Sequence, residues 1–379
     1  MTEPSPSSTT TATRKPNLRG VSAIRAYFRR NTTPIYFVSP TPFNLLGVDR
    51  WISNFHYVNY YDSFDGTHPH VFLPRERGVD DFGSMEEMNN FLLGHPEFAE
   101  FAAEQGPGGK AVLVMVDDTT ERLAAERGID VALPPAALRH RLDSKLVTTR
   151  LGNEAGVPSV PNVLGRVADY DSLLDLAAHV FEVDYLVDVD TGELYLGELN
   201  PRLSGISSMT NVTAGAYAEL PLFLFHLLEY LDVDYEIDVD EINARWADPD
   251  TVDVWSQVVI KHTGDEVGVI DDAPATGIWR TRRDGDLVFD HADTDWHDLT
   301  SGSARTTGFY LRVSGPGDYL YKGADIGILV SRGRLQSDLC DGQAALTPLC
   351  RQWIDGIRNR VRATPLPATQ IPAVAVATK

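Results

Sequence analysis

Short apolar runs separated by helix-like stretches constrain the fold of this chain more than any other feature. Residues 35–39 read IYFVS and stop at Pro40 and Pro42, and residues 111–116 read AVLVMV and stop at Asp117 and Asp118. Apolar runs of this length, bounded by turn residues, are the pattern of buried strands. Helical patterns over 85–93, 97–104 and 120–127, and a third strand over 129–133 before Pro134-Pro135, complete an alternation of strand and helix. That alternation implies a parallel sheet with crossover helices, so residues 31–135 are expected to form a small α/β domain.

A chain of 379 residues suits two or three such domains, and its 43% hydrophobic and 23% charged residues are globular values. The net charge of −21 sets the surface against nucleic acid and anionic lipid, which leaves small ligands and cations as expected partners. Two cysteines, Cys340 and Cys350, are too few for a thiolate zinc site or a disulfide scaffold. Residues 1–17 are rich in Ser, Thr and Pro without an apolar centre, and read as a tail rather than a signal peptide. With no apolar run of membrane-spanning length, a cytoplasmic location is expected.

Further along, Asp143-Ser144-Lys145 opens a helix that runs to Ala155 and stops at Gly156. An extended segment over 157–163, a helix over 172–179, a hairpin over 181–199 and an apolar helix over 217–231 follow. Short strand patterns at 256–261, 277–281, 287–290, 309–313 and 326–330 precede a closing helix over 343–361. The expected class is therefore α/β, α+β overall. A tail and leading helix (1–30) precede the small parallel-sheet domain (31–135). A middle domain with an antiparallel region (136–231), a β-rich C-terminal domain (232–365) and a second tail (366–379) follow.

Residues 181–202, FEVDYLVDVDTGELYLGELNPR, carry the densest chemistry. Two alternating runs flank Asp190-Thr191-Gly192, and a three-residue hairpin loop favours Gly in third place, where φ is positive. That loop pairs Val189 with Glu193, which sets Asp184 opposite Glu198. Facing carboxylates repel unless a cation lies between them, and Asn200 falls on the same face as Glu198. Asp184, Glu198 and Asn200 thus make a hard-oxygen set suited to Mg²⁺ with phosphate oxygens. Arg202 continues that face if the strand persists through Pro201, where a guanidinium could hold a carboxylate or phosphate. A solvent-facing hairpin with outward charges fits the spacing equally well, and a two-residue loop would take Glu198 out of register with Asp184.

Glu198-Leu199-Asn200-Pro201-Arg202, preceded by Val183-Asp184-Tyr185, resembles the metal-binding hairpin of the ATP-grasp superfamily, which includes biotin carboxylase, D-alanine–D-alanine ligase and carbamoyl-phosphate synthetase. Leu142-Asp143-Ser144-Lys145 and Gly156-Val157-Pro158 are similar to the start of the nucleotide-binding region and its following turn in carboxylase-like members. The resemblance implies a biotin carboxylase-like or carboxylate–amine ligase. In it Asp184, Glu198 and Asn200 hold magnesium (or Mn²⁺), Lys145 touches ATP, and Arg202 is the catalytic cation. It implies activation of a carboxylate or bicarbonate and transfer to an amine-type acceptor, by positioning and charge stabilisation. Homodimers are common among such enzymes.

One interval departs from the family pattern. Between the turn at Pro158 and Asp184 the family carries a subdomain with a phosphate-binding Lys, a glycine-rich flap and a hinge acid. Here residues 161–183 contain no Lys, Gly165 is their only Gly and Arg166 their only Arg. The ATP-grasp domain is accordingly read as partial, with an internal deletion near residues 178–180 and weak or absent ATP turnover. A catalytically inactive remnant that binds a metabolite or a protein is the alternative.

Other signals point to plainer roles. Gly106-Pro107-Gly108-Gly109-Lys110 lacks the Ser or Thr of a phosphate loop and reads as a turn. His68 and His70 could pair on a metal but, with no third ligand nearby, read as surface histidines; residues 290–298, with His291 and His297, read as a solvated acidic loop in preference to a cation site. Neither cysteine has an adjacent base, and Gly205-Ile206-Ser207 lacks the second Gly of a nucleophile elbow.

Overall fold

The computed structural model describes residues 15–76, 82–156, 203, 207–216, 220–247, 254–283, 285–300, 306–337 and 345–367. Among them the chain is a mixed α/β structure with parallel and antiparallel sheets. Strand β1 (Asn17–Arg19) leads into α1 (Gly20–Phe28), which buries Ile24 and Phe28. All five residues of β2 (Ile35–Ser39) and of β3 (Phe55–Asn59) are buried, and β4 (Val71–Phe72) follows. Helix α2 (Met85–Gly94) starts at Ser84, whose side chain accepts the Glu87 N–H, and α3 (Pro96–Gln105) starts on a proline, which has no N–H to leave unsatisfied. Next come β5 (Lys110–Leu113), α4 (Asp118–Glu126), β6 (Asp130–Val131), α5 (Ala136–Leu142) and α6 (Lys145–Ala155). Strand β5 is shorter than its apolar run. The chain leaves the ladder after Leu113 to reach Asp117, which forms a reciprocal cap with Thr120 at the start of α4.

Helix α7 (Ser207–Ala216) precedes α8 (Leu222–Tyr230), so the apolar helix expected over 217–231 begins later, after Pro221. Strand β7 (Asp234–Glu236) pairs parallel to β1. Helix α9 (Val239–Ala247) interrupts a region expected to be mostly β. Its start signal was present: the Asp238 carboxylate accepts the Glu241 N–H at 2.9 Å. The remaining strands are β8 (Trp255–Lys261), β9 (Gly268–Asp272), β10 (Gly277–Thr281), β11 (Leu287–His291), β12 (Thr307–Arg312), β13 (Tyr319–Leu320) and β14 (Asp325–Arg332). Helix α10 (Pro348–Arg358) and β15 (Arg362–Pro365) end the described chain. Helix α10 is shorter than the 343–361 expected, because Thr347 caps its start by accepting the Cys350 N–H and the chain turns at Asn359.

Two compact units account for these elements, and neither is contiguous in sequence. One consists of Thr33–Asn44 and His56–Ser207. It holds most of a five-stranded sheet in the order β4-β3-β2-β5-β6, with parallel pairing at β3–β4, β2–β5 and β5–β6. Its core packs Tyr36, Val38 and Leu113 of the sheet against Leu92, Leu93 and Phe98 of the helices. The other unit consists of Met1–Thr32, Leu45–Phe55 and Ser208–Lys379. Its antiparallel sheets run β11-β10-β12-β14-β8 and β13-β9-β15. Trp353, Ile354 and Ile357 of α10 join Trp279, Tyr310 and Leu329 of the larger sheet in one core. Gly308 makes room for this helix, since a Cβ there would lie 3.1 Å from the Trp353 ring. No described helix is long and apolar enough to cross a membrane.

Candidate functional site

Of the five residues singled out by sequence, Asp184, Glu198, Asn200 and Arg202 lie outside the described residues, as do the extended segment over 157–163, the helix over 172–179 and the hairpin itself. Lys145 is described. It is exposed and occupies the first position of α6. Ser144 precedes it with extended backbone and makes no side-chain cap, while Gly156 ends the helix at φ +67°. The Thr148 hydroxyl donates back to the carbonyls of Ser144 and Lys145 at 3.3 and 3.2 Å, which tightens the first turn.

Arg139 organises the approach to that turn. Its guanidinium pairs with Asp143 at 2.9 Å and Glu86 at 2.8 Å, and donates to the Val116 carbonyl at 2.6 Å. The Glu121 carboxylate accepts the Ala136 N–H at 2.8 Å, which anchors α5 on α4. Asp143 is therefore engaged with Arg139, and both it and Lys145 are exposed. A lysine on the first turn adds its charge to the positive end of the helix dipole, an arrangement suited to an anion such as phosphate.

The Gly106–Lys110 segment is a turn feeding β5. Gly106 and Gly108 take φ of +114° and +72°, and Lys110 pairs with Asp130 at 2.8 Å. A Cβ on Gly109 would come within 2.7 Å of the Tyr36 ring, so the glycine there serves packing.

The histidine reading needs correction. His68 is buried, its ring 5.6 Å from that of Tyr57 and 4.8 Å from that of Phe64. The His70 N–H donates to Nδ1 of His68 at 3.1 Å. His56, at 7% exposure, lies 6.0 Å from His70, stacks on Tyr36 at 5.9 Å and meets Phe101 edge-on at 5.3 Å. Burial, reinforced by the neighbouring His70, pushes the His56 imidazole down to about 4. Local sequence shows only the polar dipeptide frame around Pro69; the aromatic shell comes from strands and helices elsewhere.

The 290–298 loop is only partly solvated. Asp295 is buried and ion-paired with Arg50 across 245 positions of sequence, and the same guanidinium reaches Asp293 at 3.9 Å. Burial pushes the Asp295 carboxyl up against the pull of Arg50. His291, Asp293 and Asp298 bring one potential ligand atom each within 4.8 Å of one another, the only such group among the described residues. Cys350 lies on the buried face of α10, where burial raises its thiol pKa.

No protein-family model and no curated protein matches the sequence. Among solved structures, the chain is similar to the T882A pyruvate carboxylase of Rhizobium etli with the allosteric activator acetyl coenzyme A, at TM-score 0.49 and 12% identity over 88% of this chain and 39% of that one. It is similar to the complete multifunctional pyruvate carboxylase of Rhizobium etli at TM-score 0.42 and 14% identity, over 88% of this chain and 33% of that one. The biotin carboxylase domain of a single-chain bacterial carboxylase gives TM-score 0.43 and 12% identity, over 91% of this chain and 95% of that domain. This chain thus covers well under two thirds of the pyruvate carboxylases. Likeness at this level gives no residue a role.

Proposed function

We propose that this chain is an ATP-grasp-type ligase, of the biotin carboxylase-like or carboxylate–amine ligase branch. The observation that carries the reading is the Glu198-Leu199-Asn200-Pro201-Arg202 motif behind Val183-Asp184-Tyr185, downstream of the Asp143-Ser144-Lys145 helix start. Support comes from Lys145, whose exposed place on the first turn of α6 fits a nucleotide phosphate. Magnesium-bound ATP would supply the phosphoryl group that activates a carboxylate or bicarbonate for an amine-type acceptor. In that reading Asp184, Glu198 and Asn200 hold the magnesium, Lys145 binds phosphate, and Arg202 stabilises charge on the transferring group.

A second reading is favoured by residues 161–183, which lack any lysine and hold a single glycine. A chain without a cationic flap over the triphosphate would retain the surrounding domains as a non-catalytic metabolite- or protein-binding remnant. Thermal unfolding with Mg-ATP, with Mg²⁺ alone and without either, on the natural chain and on Glu198→Ala, separates the two. The ligase reading expects stabilisation by Mg-ATP that Glu198→Ala removes. Folded protein with no Mg-ATP shift sinks it in favour of the remnant.

A further inference from the structure

We propose that the loop after β11 is a divalent transition-metal site, with Nε2 of His291 and the carboxylates of Asp293 and Asp298 as its ligands and Zn²⁺ as the best-fitting ion. The inference is independent of the ligase reading, since it uses none of the residues assigned there.

The site begins with a register shift. Trp279 pairs with Phe289 and Ile278 with His291, so Asp290 has no partner across the ladder. A bulge of this kind turns two neighbouring side chains in a direction that regular alternation would forbid. Here it lets Asp290 and His291 meet: the Asp290 carboxylate lies 3.2 Å from Nδ1 of His291. Gly277 permits the arrangement, at φ +147° and with its Cβ position 2.4 Å from the His291 carbonyl oxygen, where any larger residue would collide with the strand.

The two ring nitrogens then have separate partners. Nδ1 of His291 lies 3.2 Å from the Asp290 carboxylate and Nε2 lies 3.2 Å from that of Asp298, where a bound cation would take the place of the Nε2 proton. A carboxylate holding the far nitrogen of a histidine is the arrangement that orients imidazole ligands toward metal ions. The 3.2 Å edge also suits shared coordination, because two ligands bonded at about 2.1 Å to one zinc ion stand roughly 3 to 3.4 Å apart. Asp293 supplies the third donor within the 4.8 Å group. Its side chain is only 14% exposed, with Oδ1 accepting the Thr294 N–H at 2.7 Å, so it is already ordered. Arg50 fixes the base of the loop through buried Asp295, which in turn accepts the His297 N–H at 2.7 Å.

Charge favours a dication. The loop gathers the four carboxylates of Asp290, Asp293, Asp295 and Asp298 around two guanidinium groups, that of Arg280 beside Asp290 and that of Arg50 beside Asp295 and, at 3.9 Å, Asp293. An imidazole among the donors selects zinc over magnesium and calcium, which prefer oxygen throughout. The exposure of His291 and Asp298, 46% and 58%, leaves an entry path and open coordination positions.

The test is equilibrium dialysis of the untagged full chain against Zn²⁺, with bound metal counted by mass spectrometry. Glu198→Ala serves as the reference protein, so that the hairpin carboxylates do not contribute. One zinc per chain is expected in the reference, weakened at least about ten-fold by adding either His291→Ala or Asp298→Asn. Zn²⁺, unlike Mg²⁺, is expected to shield His291 from diethyl pyrocarbonate. Zinc binding indifferent to both substitutions, or no zinc uptake by the folded reference protein, would overturn the proposal.

Discussion

Acid should weaken the unit that contains His56 in a way that a single substitution removes. The imidazole is buried against Tyr36 and Phe101 and titrates near 4 in the folded chain, against about 6.5 when exposed. Because the folded value is the lower one, the unfolded chain takes up this proton first. Stability from His56 is therefore intact above pH 6.5, falls as pH drops toward 4, and is level below that. The full span would be about 3 kcal/mol at 1.36 kcal/mol for each pH unit, of which about 2 kcal/mol is reached at pH 5. Some relaxation of the ring toward water reduces this, so about 1–2 kcal/mol between pH 7 and 5 is expected. Urea unfolding followed by far-UV circular dichroism at both pH values, on the natural chain and on His56→Gln, measures it. Any cost of the substitution itself cancels when each protein is referred to its own value at pH 7. Equal pH losses in the two proteins would refute the assignment of a neutral, buried His56.

Other substitutions test the packing and the site. Trp353→Ala, at a residue 2% exposed in the core beneath α10, should cost about 3–5 kcal/mol and lower the tryptophan-detected transition. Gly327→Ala would bring a Cβ within 2.4 Å of the Tyr310 ring, itself fully buried, and should cost about 1–3 kcal/mol in the same assay. Arg50→Ala leaves the Asp295 carboxyl buried without its guanidinium, and the loss measured by urea unfolding should shrink when Asp295→Asn is combined with it. Lys145→Ala, at an exposed residue, should diminish any Mg-ATP shift in melting temperature measured against the same variant without ligand; an undiminished shift would remove Lys145 from the nucleotide site.

The sequence by itself determined the elements whose cause is local. The run at 35–39 became a fully buried strand because uninterrupted apolar residues ending at prolines have few other ways to be satisfied. Lys145 opens a helix that Gly156 closes with left-handed backbone, a signal that acts within one turn of chain. The Asp238 cap of α9 is equally local, but it lies among strand patterns that mask it. The candidate magnesium ligands were legible only as a motif, and they lie beyond the described residues. Tertiary structure decided what depends on residues distant in sequence. Burial of His56 requires rings from Tyr36 and Phe101, and burial of Asp295 requires Arg50 from the far end of the chain. The loop at 290–298 reads as solvated because it is acidic and polar. What brings Asp290 and His291 together there is a register shift, set by the pairing of β11 with β10 and by the space left at Gly277.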